Sequence, residues 1–107
     1  MSEQALLVLC TCPDGVTASK IATALVAERL AACVNRLPGV QSLFRWQGAV
    51  ESQAEELLLV KTTAAAWPKL EARIRELHPY ELPEVIGVPI AVGSGPSLQW
   101  ITESTQP

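Results

Sequence analysis

The chain has 107 residues, 49 % apolar and 18 % charged, with a net charge of -3 and no run of Lys or Arg. That length suits a single domain, residues 1–107, with a thin core. The absence of a basic stripe argues against nucleic acid as a main partner, and the mild acidity gives no pull towards an anionic membrane surface.

The apolar share exceeds that of an ordinary soluble monomer, and a subunit interface is the simplest place to hide the surplus. Met1-Ser2-Glu3-Gln4 lacks the basic start and long apolar stretch of a secretory signal. No apolar stretch approaches the length of a membrane span. These features predict an unexported, cytoplasmic protein. The cysteines are Cys10, Cys12 and Cys33, an odd number that cannot close a disulfide framework within one chain and that fits a reducing compartment.

Ala5 to Cys12 (ALLVLCTC) is apolar and β-prone and predicts a buried strand, stopped by Pro13-Asp14-Gly15. Asp14 is placed to cap the next helix, because its carboxylate can accept from free amides of the first turn. From Val16 to Leu30 the period changes: Ile21, Ala22, Leu25, Val26 and Leu30 form a stripe at helical spacing. Ala32 to Trp46 predicts a second strand, with Pro38-Gly39 as a bulge or bend because proline cannot donate to a ladder. Gln47-Gly48 predicts a hairpin turn into a third strand, Val50 to Thr63, polar in its first half and apolar in its second. Thr62 or Thr63 is expected to cap a second helix. Pro68 sits in its first turn, Leu70, Ile74 and Leu77 form its buried stripe, and it runs to about His78. His78-Pro79-Tyr80-Glu81-Leu82-Pro83-Glu84 reads as a stiff turn. Val85 to Val92 predicts a fourth strand, with Pro89 marking an edge or a bulge. After Gly93-Ser94-Gly95-Pro96, Ser97 to Ser104 predicts a short terminal helix.

The order β-α-β-β-α-β with a helical tail is that of an α+β, ferredoxin-like fold, with two helices on one face of an antiparallel sheet of order 4-1-3-2. The first and third strands, the most apolar, are then central. The second and fourth become edges that carry Leu43, Phe44, Val85, Ile86, Val88 and Ile90. The other face of the sheet has no helix over it. Closed self-association covers both features, without itself setting the number of subunits.

Thr11-Cys12-Pro13, Ala32-Cys33-Val34-Asn35, Phe44-Arg45-Trp46-Gln47-Gly48, Lys61-Thr62 and the segment His78 to Glu84 stand in an order and spacing similar to the CutA family, as does the tail from Trp100 to Ser104. The chain resembles that family over nearly its whole length. The resemblance implies a ferredoxin-like subunit, a homotrimer, an association with tolerance of copper and other divalent cations, and a kinship of shape with trimeric PII signalling proteins. Two positions depart from the commoner pattern. Gln47 stands where Lys is frequent, which weakens a role for a cation at that hairpin, and Cys10 is an extra thiol.

Cys10 and Cys12, two apart on a strand, face the same side. Cys33 opens the strand after the crossover helix and is expected in a neighbouring parallel segment. Thiolates are soft ligands suited to Cu(I) and Zn. Cys12 and Cys33 with His78 are therefore the candidate ligands for copper or another divalent cation, the alternative being that the thiols are small buried hydrophobes. His78, the only histidine, either ligates or fixes its turn at a helix end. Arg45, Lys61, Tyr80, Glu81 and Glu84 are the candidate lining of a polar cleft between subunits, with an interface ion pair as the alternative role for Lys61. No organic cofactor is expected. Nor is an enzyme: a nucleophilic thiol needs a base in reach, the sole histidine lies on another element, and no Gly-rich phosphate loop is present. The leading expectation is a metal-binding, cation-tolerance homotrimer. The alternatives are a PII-like module that takes a small ligand in its inter-subunit clefts and a ligand-free scaffolding trimer.

Overall fold

In the computed structural model, strand β1 (Ala5–Cys12) alternates fully buried Val8, Cys10 and Cys12 with half-buried Leu7, Leu9 and Thr11. The pleat sends successive side chains to opposite faces. One face of the sheet is therefore sealed by helices and the other only partly covered. The structure describes residues 3–107. Met1 and Ser2, on which part of the reading against a secretory signal rests, lie outside the described residues.

Helix α1 (Gly15–Ala27) starts where expected, with Asp14 Oδ1 accepting the Thr17 amide at 2.8 Å. It stops one turn short of the apolar stripe's end, because Arg29 takes a left-handed φ of 60° that reverses the chain. Leu30 still packs against the core from the loop. Strands β2 (Cys33–Trp46) and β3 (Ala49–Thr63) form a long hairpin. Its turn residues, Gln47 and Gly48, have φ of 50° and 82°, the paired left-handed geometry whose twist suits a two-residue hairpin. The expected bulge lies between Leu37 and Val40, with Gly39 at φ 78°.

Helix α2 (Trp67–Leu77) departs from the sequence reading at its start. Strand β3 runs through Thr63 and Ala66 occupies the cap position, while the Thr63 hydroxyl accepts the Ala66 amide at 3.3 Å and so holds the turn that leads into the helix. The Thr62 hydroxyl instead donates to the Leu30 carbonyl at 2.6 Å, tying the end of the first crossover to the sheet. Strand β4 is only Ile86–Pro89, shorter than the predicted Val85 to Val92. It pairs with Leu6–Leu9 of β1, and the missing proline donor limits its ladder. Helix α3 (Gly95–Ser104) is capped by Ser94 and carries Pro96 in its first turn.

The four strands are antiparallel in the order β2-β3-β1-β4, the ferredoxin-like arrangement read from the sequence. The core lies between the sheet and α1 and α2, where Ile21, Leu25, Leu70 and Ile74 meet Val8, Leu58 and Val60, all fully buried. Each such aliphatic side chain contributes about 1.5–3 kcal/mol by leaving water.

Strand β1 ends opposite Glu56, so residues 40–46 and 49–55 continue past the sheet as a two-stranded arm. The molecule measures 46 × 25 × 22 Å. On the arm Leu43 is 71 % exposed, Val50 68 % and Trp46 43 %. A two-stranded ribbon is marginal in water unless something packs on it. Among the described residues no helix is long and apolar enough to cross a membrane.

Candidate functional site

Three potential metal ligands converge where β1 runs out towards α1. The Sγ atoms of Cys10 and Cys12 and a ring nitrogen of His78 all lie within 4.8 Å of one another. The two-residue spacing on a strand puts both thiols on the helix-covered face. Helix α2 delivers the imidazole: His78 is its C-cap residue, and Ile74, one turn earlier, is locked in the core. Both thiols are fully buried and His78 is nearly so.

The ring is held at both ends. Nε2 lies 2.7 Å from the Thr11 carbonyl, and Nδ1 accepts the Tyr80 amide at 3.2 Å. In the neutral ring these two bonds place the proton on Nε2, because a carbonyl can only accept and an amide can only donate. The Tyr80 ring packs 4.6 Å from the imidazole.

The electrostatics of the thiols are unequal. Cys12 is lowered to about 6, chiefly by the neighbouring Cys10 thiol and then by His78, against the opposing effect of burial. Cys10 is pushed up by the same neighbour and by burial, with the Glu84 and Glu55 carboxylates adding to the rise. Burial disfavours the His78 cation, but the Cys12 sulfur and the Thr11 carbonyl outweigh it and raise the ring's pKa. At neutral pH one of the two thiols is therefore ready to ligate a metal without a large cost of deprotonation.

Beside this cluster lies a cleft of about 680 Å³ between the arm and the segment after α2. Tyr80 anchors it: its hydroxyl donates to Glu55 Oε2 at 2.8 Å and accepts from Gln53 Nε2 at 2.8 Å. Burial and the Glu55 carboxylate raise the Tyr80 pKa, so the phenol keeps its proton. Glu51, Glu55, Glu81 and Glu84 line the cleft with Phe44 and Trp46, and among the described residues no cation lines it.

A family model described as "CutA1 divalent ion tolerance protein" matches residues 6–104. The chain belongs to the CutA1 family. The divalent-cation tolerance protein CutA of Thermus thermophilus is 54 % identical over 99 residues, covering 92 % of this chain and 96 % of that protein. Human protein CutA is 43 % identical over 96 residues, covering 90 % of this chain but only 54 % of its own length, so the chain spans about half of that relative. The solved Thermus thermophilus divalent cation tolerance protein superposes with a TM-score of 0.94 at 52 % identity, covering 95 % of this chain and 99 % of that one. Rice CutA1 gives a TM-score of 0.95 at 36 % identity, covering 98 % and 96 %.

Within this CutA1 fold the candidate ligands regroup. Cys12 and His78 meet, but Cys33 does not join them. The reason is topological: β2 pairs with β3 rather than β1, and Cys33 sits opposite Lys61. Its sulfur contacts Asn35 Oδ1 at 3.7 Å, which also accepts from Lys61 Nζ at 2.7 Å. Cys10 takes the third place in the cluster. The same juxtaposition removes one premise of the sequence reading against catalysis, since the sole histidine does reach the Cys12 thiol.

The cleft residues also divide. Tyr80, Glu81 and Glu84 line it, whereas Arg45 lies on the arm opposite Val50 outside the lining, and Lys61 sits by Leu7 and Trp100 in a smaller hollow under α3. Glu55 and Gln53 were not among the residues expected in the cleft. Their signal was polarity in the projecting half of β3, a pattern shared with any solvated strand.

Proposed function

We propose that this CutA1-family chain is a cytoplasmic, non-enzymatic, metal-binding homotrimer that serves tolerance of copper and other divalent cations. One observation carries the metal reading: two thiols and an imidazole converge in a buried site of a protein whose family model is described by divalent ion tolerance. Metal ions are its cargo, and Cys12 and His78 are its working ligands, with Cys10 beside them. The acidic cleft supports the reading by drawing cations to that end of the subunit.

The trimer is supported by the exposed apolar arm and the half-covered sheet face, both of which need a partner surface. Charge also weighs against nucleic acid as a partner.

A second reading, a regulatory module that takes a small ligand, is favoured by the cleft under Trp46 and Tyr80. Its carboxylates restrict that ligand to a cationic or neutral molecule.

Calorimetric titration of the intact protein with copper and zinc, repeated on Cys12→Ser, His78→Ala and Cys33→Ser, tests the metal reading. Cys12→Ser and His78→Ala are expected to lose binding while Cys33→Ser retains it. Equal binding by all four proteins would remove the cluster as the site. A ligand screen that is lost in Tyr80→Phe but unchanged in Cys12→Ser would favour the second reading.

A further inference from the structure

We infer that Cys10 makes this site a two-thiolate seat for a monovalent soft cation, Cu(I), held between Cys10 Sγ and Cys12 Sγ with the His78 ring closing it from the third side. The inference rests on the metal-binding reading above and specifies its cargo.

The donor set favours a soft ion. Within the cluster there are two sulfurs and one nitrogen and no carboxylate oxygen. Thiolates select Cu(I) and other soft ions, whereas Mg(II), Ca(II) and Mn(II) want oxygen. Coordination number points the same way. Structural zinc takes four ligands, commonly from Cys and His, and this cluster offers three from buried side chains. A catalytic-type zinc would need a water in the fourth place, and the three ligands here are sealed in the core.

The reach of the donors also suits two thiolates on one ion. A metal–thiolate bond of about 2.3 Å places two thiolates about 4 Å apart in a trigonal site and about 4.6 Å apart in a linear one. Both spacings fall within the 4.8 Å inside which all three ligand atoms lie. His78 distinguishes the two. Its nitrogens already serve the Thr11 carbonyl and the Tyr80 amide. Binding a metal through the ring therefore costs one of those bonds, and the thiolate pair carries most of the affinity.

Entry is provided by the acidic cleft. Thr11 and Tyr80, whose backbones hold the His78 ring, both line it, next to Glu55 and Glu84. A cation concentrated there is one loop away from the thiols. The thiols need release only their protons as the metal binds, and no electron transfer is required when copper arrives as Cu(I).

The test is anaerobic competition of the full-length protein against a chromophoric Cu(I) chelator, with Zn(II) and Co(II) titrated in parallel. X-ray absorption at the copper edge of the wild-type complex counts the sulfurs without needing any variant. The expected result is one Cu(I) per chain with two sulfur ligands, displaced by neither Zn(II) nor Co(II). Cys10→Ala is expected to weaken Cu(I) binding by at least ~100-fold, the upper end of what losing even an indirect metal partner costs. Cys10→Ser, which keeps the shape of the site, should lose as much. If wild type shows a single sulfur on copper, or if Cys10→Ala binds Cu(I) as tightly as wild type, the inference on Cys10 falls while metal binding through Cys12 and His78 stands. If wild type binds none of the three metals, the metal reading itself falls with it.

Discussion

The Cys12 sulfur is pulled in opposite directions by its surroundings. The Cys10 thiol and the His78 ring stabilise its thiolate, burial opposes it, and the balance leaves the group at about 6. An acid that has been lowered ionises earlier as pH rises, so removing either stabilising neighbour must move its titration upward. Ultraviolet thiolate absorbance of the metal-free protein is expected to show a transition centred near 6. In His78→Ala and in Cys10→Ala that midpoint should shift towards the ordinary thiol value of 9.0. A midpoint that stays put in both variants would mean that neither neighbour acts on Cys12. Because metals bind the thiolate, copper affinity should fall as pH drops through the same transition.

At the scale of elements, the site depends on the seat of α2. The Leu70 and Ile74 side chains are fully buried against the sheet, and the helix ends at the residue that supplies the imidazole. Ile74→Ala is expected to destabilise the fold by about 2–5 kcal/mol, the range for emptying a buried aliphatic site. Urea unfolding reads the loss directly. Under native conditions the same variant should bind copper more weakly than wild type while still folded, because a loosened last turn no longer fixes His78 between Thr11 and Tyr80. The fold of α2 was legible from Pro68, Leu70 and Ile74. Its first residue was not, because Thr62 and Thr63 end β3 in its ladder with β1 and Thr63 caps the intervening turn at Ala66 rather than the helix itself.

For the molecule as a whole, the arm is the feature that a lone subunit does not explain. Leu43, Val50 and Trp46 stand in water on a ribbon that extends beyond the sheet, and edge strands with apolar side chains invite pairing. Leu43→Asp combined with Val50→Lys is expected to convert the proposed trimer into smaller species, measured by analytical ultracentrifugation, with the subunit's own far-ultraviolet circular dichroism largely retained. A sedimentation coefficient equal to that of wild type would show that the arm is not the interface.

Much of this protein follows from local patterning. The short, nearly unbroken apolar and β-prone run ALLVLCTC dictates a buried strand, and period 3.6 through Ile21 and Leu25 dictates a helix with one apolar face. Gln47-Gly48 and Pro38-Gly39 set a turn and a bulge because few residues tolerate those backbone angles. The α+β order then leaves few sheet topologies, and the observed β2-β3-β1-β4 is one of them. The meeting of the thiols with His78 lay beyond that reach. Cys12 and His78 are 66 positions apart, and only the packing of α2 on the sheet joins them. Cys33, which looks equivalent in sequence, is separated from them by the insertion of β3 between β1 and β2. That strand order and the shared face of Cys10 and Cys12 were legible in the sequence; the tertiary structure decided which group closes the thiol pair, because helix packing brings His78 there and sequence spacing does not.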